Sequence, residues 1–179
     1  MFESIKNFFR KRRIGKFISD IPTGLLPLKE ISSVNVVLDV EEPGFDLLRT
    51  DIIEWAKQAG IKVNIYFFDF RRLDKEELLI TSIQTTIIKK ELDWIDTPDI
   101  SKVMGLLGEK CDLLISLIDN GDFPIDFISK CTKARFKIGR FGYEGHAFDM
   151  IISGGATIDL RSDSRLIFKA MLEFLEKIQ

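Results

Sequence analysis

The sequence predicts an α/β fold: a three-layer sandwich around a mainly parallel sheet of about five strands, Rossmann-like or flavodoxin-like, with strand order 2-1-3-4-5 and an N-terminal helix. Three observations predict it. The runs VNVVLDV, IKVNIYFFDF and DLLISLI are apolar and β-branched throughout, the pattern of strands covered on both faces rather than one. Amphipathic helical segments alternate with them at the spacing of β-α-β units, which cross over right-handedly. Finally, 179 residues, 45% of them apolar and 30% charged, suffice for one domain with a substantial core.

The elements follow in order. Residues 1–20 form a basic amphipathic helix, 21–33 a Pro- and Gly-bearing linker or extended arm, and 34–179 a single α/β domain. In the helix, Phe2, Ile5, Phe8 and Phe9 share an arc of a 3.6-residue wheel, onto which Arg12 and Lys16 then rotate. Val34–Val40 is the first strand. Phe45, Leu48, Ile52, Trp55 and Ala59 repeat at helical spacing up to Gly60, a natural stop. Ile61–Phe70 is the second strand. The Ile/Thr-rich segment from Leu78 to Pro98 fits one or two short strands or an edge hairpin, with Trp94 plugging a surface groove. Asp99 is placed to cap a short helix. Asp112–Ile118 is the third strand, and the helix after it carries Pro124 in its first turn, where a missing N–H costs nothing. Arg135–Gly139 and Phe148–Ser153 are the last strands. Leu166, Ala170, Leu172, Phe174, Leu175 and Ile178 give the closing helix its apolar side.

Cys111 and Cys131 match neither a CxxC knuckle nor a disulfide scaffold, and read as small buried hydrophobes. No segment reaches the roughly 20 apolar residues of a membrane span, and the start lacks the pattern of a secretory signal; a cytoplasmic location is expected. Net charge is −2, but residues 1–18 carry +5 and the remainder −7. A basic head on an acidic body is not the footprint of a nucleic-acid binder.

Ligands of open parallel sheets bind beyond the carboxyl ends of the strands, where strand order reverses. The residues gathered there form the candidate cleft: Asp39, Asp69, Asp119, Asn120, Asp122, Gly139 and His146. These acids would suit a divalent cation, but they also suit turns and helix caps, and no metal site is expected. Asp122 or Phe123, just before Pro124, stands where the following helix needs its cap. Gly139 follows a strand at a sharp turn, which predicts a positive φ. His146, the single histidine, could act as a general base or simply be a solvated loop residue. No GxGxxG, GxxxxGK[ST] or GxSxG motif occurs, and two carboxylates face the first βα turn, so no cofactor is expected.

The stretch DLLISLIDNGDFPIDFISKCTKARFKIG, together with ELDWIDTP upstream, resembles a family of short bacterial α/β proteins of unknown function. Its recurring features are a basic N-terminal helix, an Asn/Asp turn followed by FP, and ARFKIG, found here at Asp119–Asp122, Phe123–Pro124 and Ala134–Gly139. The resemblance implies fold and length, but no activity. DLLI and ARFKIG are also similar to the N-terminal half of heptosyltransferase-type glycosyltransferases, although those need a second Rossmann-like domain for the nucleotide sugar and none is expected from these 179 residues. The function read from the residues is a non-enzymatic binding or adaptor module. The alternative is a small or degenerate enzyme acting on a phosphorylated or sugar-like ligand at the sheet's carboxyl edge. As a surface anchor, Phe2, Ile5, Phe9, Arg10, Lys11, Arg12 and Arg13 suit an acidic protein or an anionic membrane, which would place the chain at the inner face of the membrane.

Overall fold

β-branched and aromatic runs become strands where both faces can be covered, and the chain has enough helix to cover them. In the computed structural model, which describes residues 2–71, 81–82, 84–153 and 163–178, the strands are β1 (Ser33–Asp39), β2 (Lys62–Asp69), β3 (Thr86–Ile88), β4 (Cys111–Ser116), β5 (Ala134–Gly139) and β6 (Met150–Ile151). All pair in parallel, in the order β3-β2-β1-β4-β5-β6. The helices are α1 (Phe2–Phe17), α2 (Phe45–Ala59), α3 (Ile100–Gly108), α4 (Phe123–Cys131) and α5 (Ser164–Leu175). The five expected strands keep their order, and β3 adds a sixth outside β2. Instead of an edge hairpin, the described part of the Ile/Thr segment forms a single short parallel strand followed by a 3₁₀ turn at Lys89–Glu91; residues 78–80 and 83 of that segment lie outside the described residues.

Alternation along β1 sends Val34, Val36 and Leu38 to one face. There they meet Phe45, Leu48, Ile52 and Ala56 of α2 and Ile167, Phe168, Met171 and Leu175 of α5. The other face carries Val37, Phe68 and Leu114 against Val103, Leu106 and Leu107 of α3 and Ile125, Phe127 and Ile128 of α4, with Ile14 and Phe17 of α1 packed beside them. Each large side chain so buried contributes roughly 1.5–3 kcal/mol. Some polar groups in the interior pair with one another, which offsets their burial: the Asn64 amide donates to Asn35 Oδ1 (3.0 Å). Lys137 Nζ donates to the carbonyls of Ser129 (2.9 Å) and Lys130 (3.3 Å) near the end of α4. Burial pushes its pKa down to about 8. Burial also pushes the Cys111 and Cys131 thiols up, to about 11 and 12.

The caps follow the sequence in part. Gly60 ends α2 in the left-handed region (φ 68°), which glycine enters without a Cβ penalty. Asp99 Oδ1 accepts from Ser101 N (2.9 Å), and Asp163, unsuspected from sequence, caps α5 through Arg165 N (2.9 Å). Asp122 occupies the N-cap position of α4, but its side chain makes no capping bond.

Two expectations at the C-terminal end of the sheet need correction. Gly139 is not among the residues with positive φ; it is required because a Cβ there would lie 2.3–2.6 Å from the Phe148 ring. Phe148 therefore lies against the end of β5, and β6 spans only Met150–Ile151 rather than beginning at Phe148.

At the amino edge, Asp112 joins the start of β1 to β4. Its Oδ2 accepts from Ser32 N (2.9 Å), Ser32 Oγ (2.7 Å), Ser33 N (3.1 Å) and Ser33 Oγ (3.1 Å), while Oδ1 accepts from Arg135 Nη1 (3.1 Å). Burial alone would raise the carboxyl, but these donors outweigh it and hold it down at about 2.

Two substitutions check this account. Gly139→Ala should destabilise by about 1–3 kcal/mol in urea unfolding, with part of the loss recovered in the Gly139→Ala/Phe148→Leu pair; no recovery would place the conflict elsewhere. Asp112 has a folded-state pKa below its ordinary 3.8, so its stabilisation is complete above that value and is lost as pH falls toward 2. Asp112→Asn should cost about 1.5–3 kcal/mol at neutral pH and flatten the acid limb of a stability–pH curve relative to the unmodified chain.

Candidate functional site

Strand order reverses between β1 and β4, and the loops leaving these two strands define the crevice where an α/β sheet holds its ligand. Here the crevice contains Arg140, the residue directly after β5, 2% exposed. A buried guanidinium is tolerated only when its donors are paired. Arg140 Nη1 donates to Ser164 Oγ (2.6 Å) at the start of α5, and to Glu42 Oε1 (3.1 Å) in the loop after β1. Nη2 lies 3.5 Å from Asp119 Oδ2 beyond β4, and the backbone N–H donates to Ser116 O (3.0 Å). One side chain thus joins three segments across the switch point. Arg140 is not among the cleft residues expected from the sequence. The signal available was a lone arginine directly after an apolar strand.

The predicted cleft residues divide among separate local partners. Asp39 is half-buried; burial is the main influence raising its carboxyl, opposed by the bond its Oδ1 accepts from Glu41 N (2.8 Å), and the charges of Glu41, Glu42 and Asp69 push the same way as burial. Asp69 is buried and gripped in bidentate fashion by Arg71, Nε to Oδ1 at 2.8 Å and Nη2 to Oδ2 at 2.7 Å, the strong geometry for a guanidinium and a carboxylate. Asn120 Oδ1 accepts from Asp122 N (3.0 Å), and its carbonyl accepts from the Tyr143 hydroxyl (2.8 Å). This makes the Asn/Asp turn a structural knot. His146 is exposed and, among the described residues, enters no hydrogen bond or ion pair. Asp39 and Asp69 are brought near each other, Asp119 turns to Arg140, and among the described residues no three His, Cys, Asp or Glu side chains are grouped to hold a metal ion.

The second candidate surface is α1. One side of this helix is docked. Lys6 Nζ reaches Asp96 Oδ2 (2.7 Å), and Arg10 pairs with the same carboxylate while its Nε donates to Ile95 O (3.0 Å). Arg13 pairs with Asp93 (3.3 Å). The Arg10 guanidinium also covers the Phe123 ring (4.8 Å), and Phe17 meets Phe127 edge-on (6.0 Å). A groove of about 360 Å³ between α1 and the start of α4 is lined by Arg10, Phe70, Lys89, Asp96, Asp122 and Phe123 among others.

The opposite side of α1 faces solvent. Phe2, Ile5, Phe8 and Phe9 are exposed, and so are Lys11, Arg12 and Lys16. Of the seven residues read as an anchor, Arg10 and Arg13 therefore turn inward. Trp94 does not plug a groove; it is 54% exposed and meets Phe9 edge-on at 5.2 Å. Among the described residues, no helix is long and apolar enough to cross a membrane.

A family model described as a family of unknown function (DUF6913) matches residues 6–169, from within α1 to within α5. No curated protein and no solved structure is significantly similar to the chain, and the likeness to heptosyltransferases gains no support.

Arg140→Met would leave Glu42 and Asp119 without this cation and should lower the unfolding free energy by about 3 kcal/mol. Arg140→Lys should restore less than half of it, because one ammonium cannot reproduce a fork of donors. Urea unfolding of the two variants checks both; equal stability of lysine and arginine would remove the geometric argument.

Proposed function

The chain belongs to this family of unknown function, and from that premise we propose that it is a non-enzymatic binding module that docks on an anionic membrane surface through the outward side of α1. One observation carries the reading: the helix is sorted into two sides. Lys6, Arg10 and Arg13 are paired with Asp93 and Asp96 beneath them. Phe2, Ile5, Phe8 and Phe9 remain in water, with Arg12 and Lys16 continuing the same side one or two turns later. Internal pairing uses up the inner cations, so those available to an external surface are the outer ones.

The magnitudes favour reversible docking. Lys11, Arg12 and Lys16 would each add about 1 kcal/mol near an anionic bilayer, and salt screens that contribution. The exposed Phe side chains add apolar burial. The expected location is cytoplasmic, peripheral to the inner face of the membrane. The rival reading, a small or degenerate enzyme for a phosphorylated or sugar-like ligand, is supported by the proximity of Asp39 and Asp69 at the carboxyl edge. It has Arg140 and its acidic partners occupying the crevice against it.

Co-sedimentation of the full chain with phosphatidylcholine vesicles, with and without phosphatidylglycerol, tests the reading. Binding should require the anionic lipid, fall at high salt, and weaken on Phe8→Ser. Equal sedimentation with both lipids, or none with either, overturns it. A thermal shift with a sugar phosphate, lost in Asp39→Asn, would favour the enzyme.

A further inference from the structure

Where α1 meets the turn from Asp93 to Thr97 lies a groove of about 680 Å³, lined by Phe9, Arg12, Arg13, Lys16, Trp94 and Ile95. Building on the docking role of α1, we propose that this groove is the headgroup site: Arg12 and Lys16 hold the phosphate of an anionic lipid, while Trp94 and Phe9 sit at the boundary with its acyl chains.

The turn that carries Trp94 is tied to itself. Asp93 Oδ1 accepts from Ile95 N (3.0 Å) and Thr97 N (2.8 Å), Asp93 N donates to Thr97 O (2.9 Å), and Asp96 takes the left-handed conformation (φ 66°) that aspartate tolerates. An indole more than half exposed is therefore held out on a built turn. Such a side chain, with an apolar body and one polar N–H, favours a membrane interface.

The groove's charge has one sign toward solvent. The nearby acids, Asp93 and Asp96, are engaged from the docked side by Arg13, Lys6 and Arg10. Arg12 and Lys16 are exposed and one helical turn apart, so their side chains emerge about 5–6 Å from each other, a span that two oxygens of one phosphate can bridge. Lys16 Nζ rests over the ring of its neighbour Phe17 (5.4 Å), a weak exposed contact that a phosphate would outcompete. Lys11 stands about 100° away from Arg12 around the helix and does not line the groove. It provides a charge-matched control.

The chain has two tryptophans, so in a Trp55→Phe background Trp94 is the single indole reporter. Titrated with phosphatidylglycerol-containing vesicles, its emission should shift to the blue and its quenching by acrylamide should fall; phosphatidylcholine vesicles and inorganic phosphate should do neither. Arg12→Gln and Lys16→Gln should each weaken vesicle affinity about fivefold or more, and Lys11→Gln less. Vesicle binding with no change at Trp94, or with equal losses for Lys11→Gln and Arg12→Gln, overturns the headgroup groove and leaves the docking role standing. Absence of any binding to anionic vesicles overturns both. A shift with inorganic phosphate alone, or with protein concentration in the absence of lipid, overturns the groove in favour of a soluble anion or a second copy of the chain.

Discussion

A guanidinium buried at the switch point of a parallel sheet sets the conditions for everything around it. Arg140 must be paired, and its partners come from the loop after β1, the loop after β4 and the start of α5. The three segments are thereby fixed relative to one another. Where other α/β domains hold a ligand, a side chain of the protein itself bridges the surrounding loops. The acids of the carboxyl edge are distributed in the same spirit: Asp69 with Arg71, Asp119 with Arg140, Asp39 with its own turn.

This arrangement moves attention from the sheet to α1. Helices lying on α/β sheets commonly bury their aromatic residues and leave their cations in solvent. In α1 the first two turns do the reverse: Lys6 and Arg10 face the domain, and Phe2, Ile5, Phe8 and Phe9 face away. Only Ile14 and Phe17, near the end of the helix, join the core beside α4. Ion pairs and a short apolar contact hold the helix, so its solvent side is displayed in a fixed orientation next to Trp94.

What was legible in the residues was whatever local pattern controls. Unbroken apolar runs gave the central strands, Gly60 and Asp99 marked helix ends, and Pro124 marked a helix start, since each acts through its own backbone. What was not legible depends on residues far apart in the chain. Arg10 and Arg13 look identical to Arg12 in sequence, and only the acids some 80 positions later decide which cations turn inward. Gly139 looks like a turn glycine until the fold sets the Phe148 ring too close to it for a Cβ. A short strand was expected in the Ile/Thr segment, but its three residues and its parallel pairing with β2 depend on the sheet around it, and Arg140 became prominent only once three loops closed on it.

The two thiols supply the chain with built-in clocks. Cys111 opens β4 and Cys131 closes α4, both buried and both held protonated at neutral pH. Neither can react with an alkylating reagent until its surroundings part, because the thiolate is the reactive species. Their alkylation kinetics will therefore follow breathing of the sheet edge and of the helix beneath α1 separately, without any label being introduced. If α1 lifts when its solvent side is engaged, Cys131, whose sulfur lies 4.0 Å from the Ile14 carbonyl, will quicken while Cys111 keeps its pace.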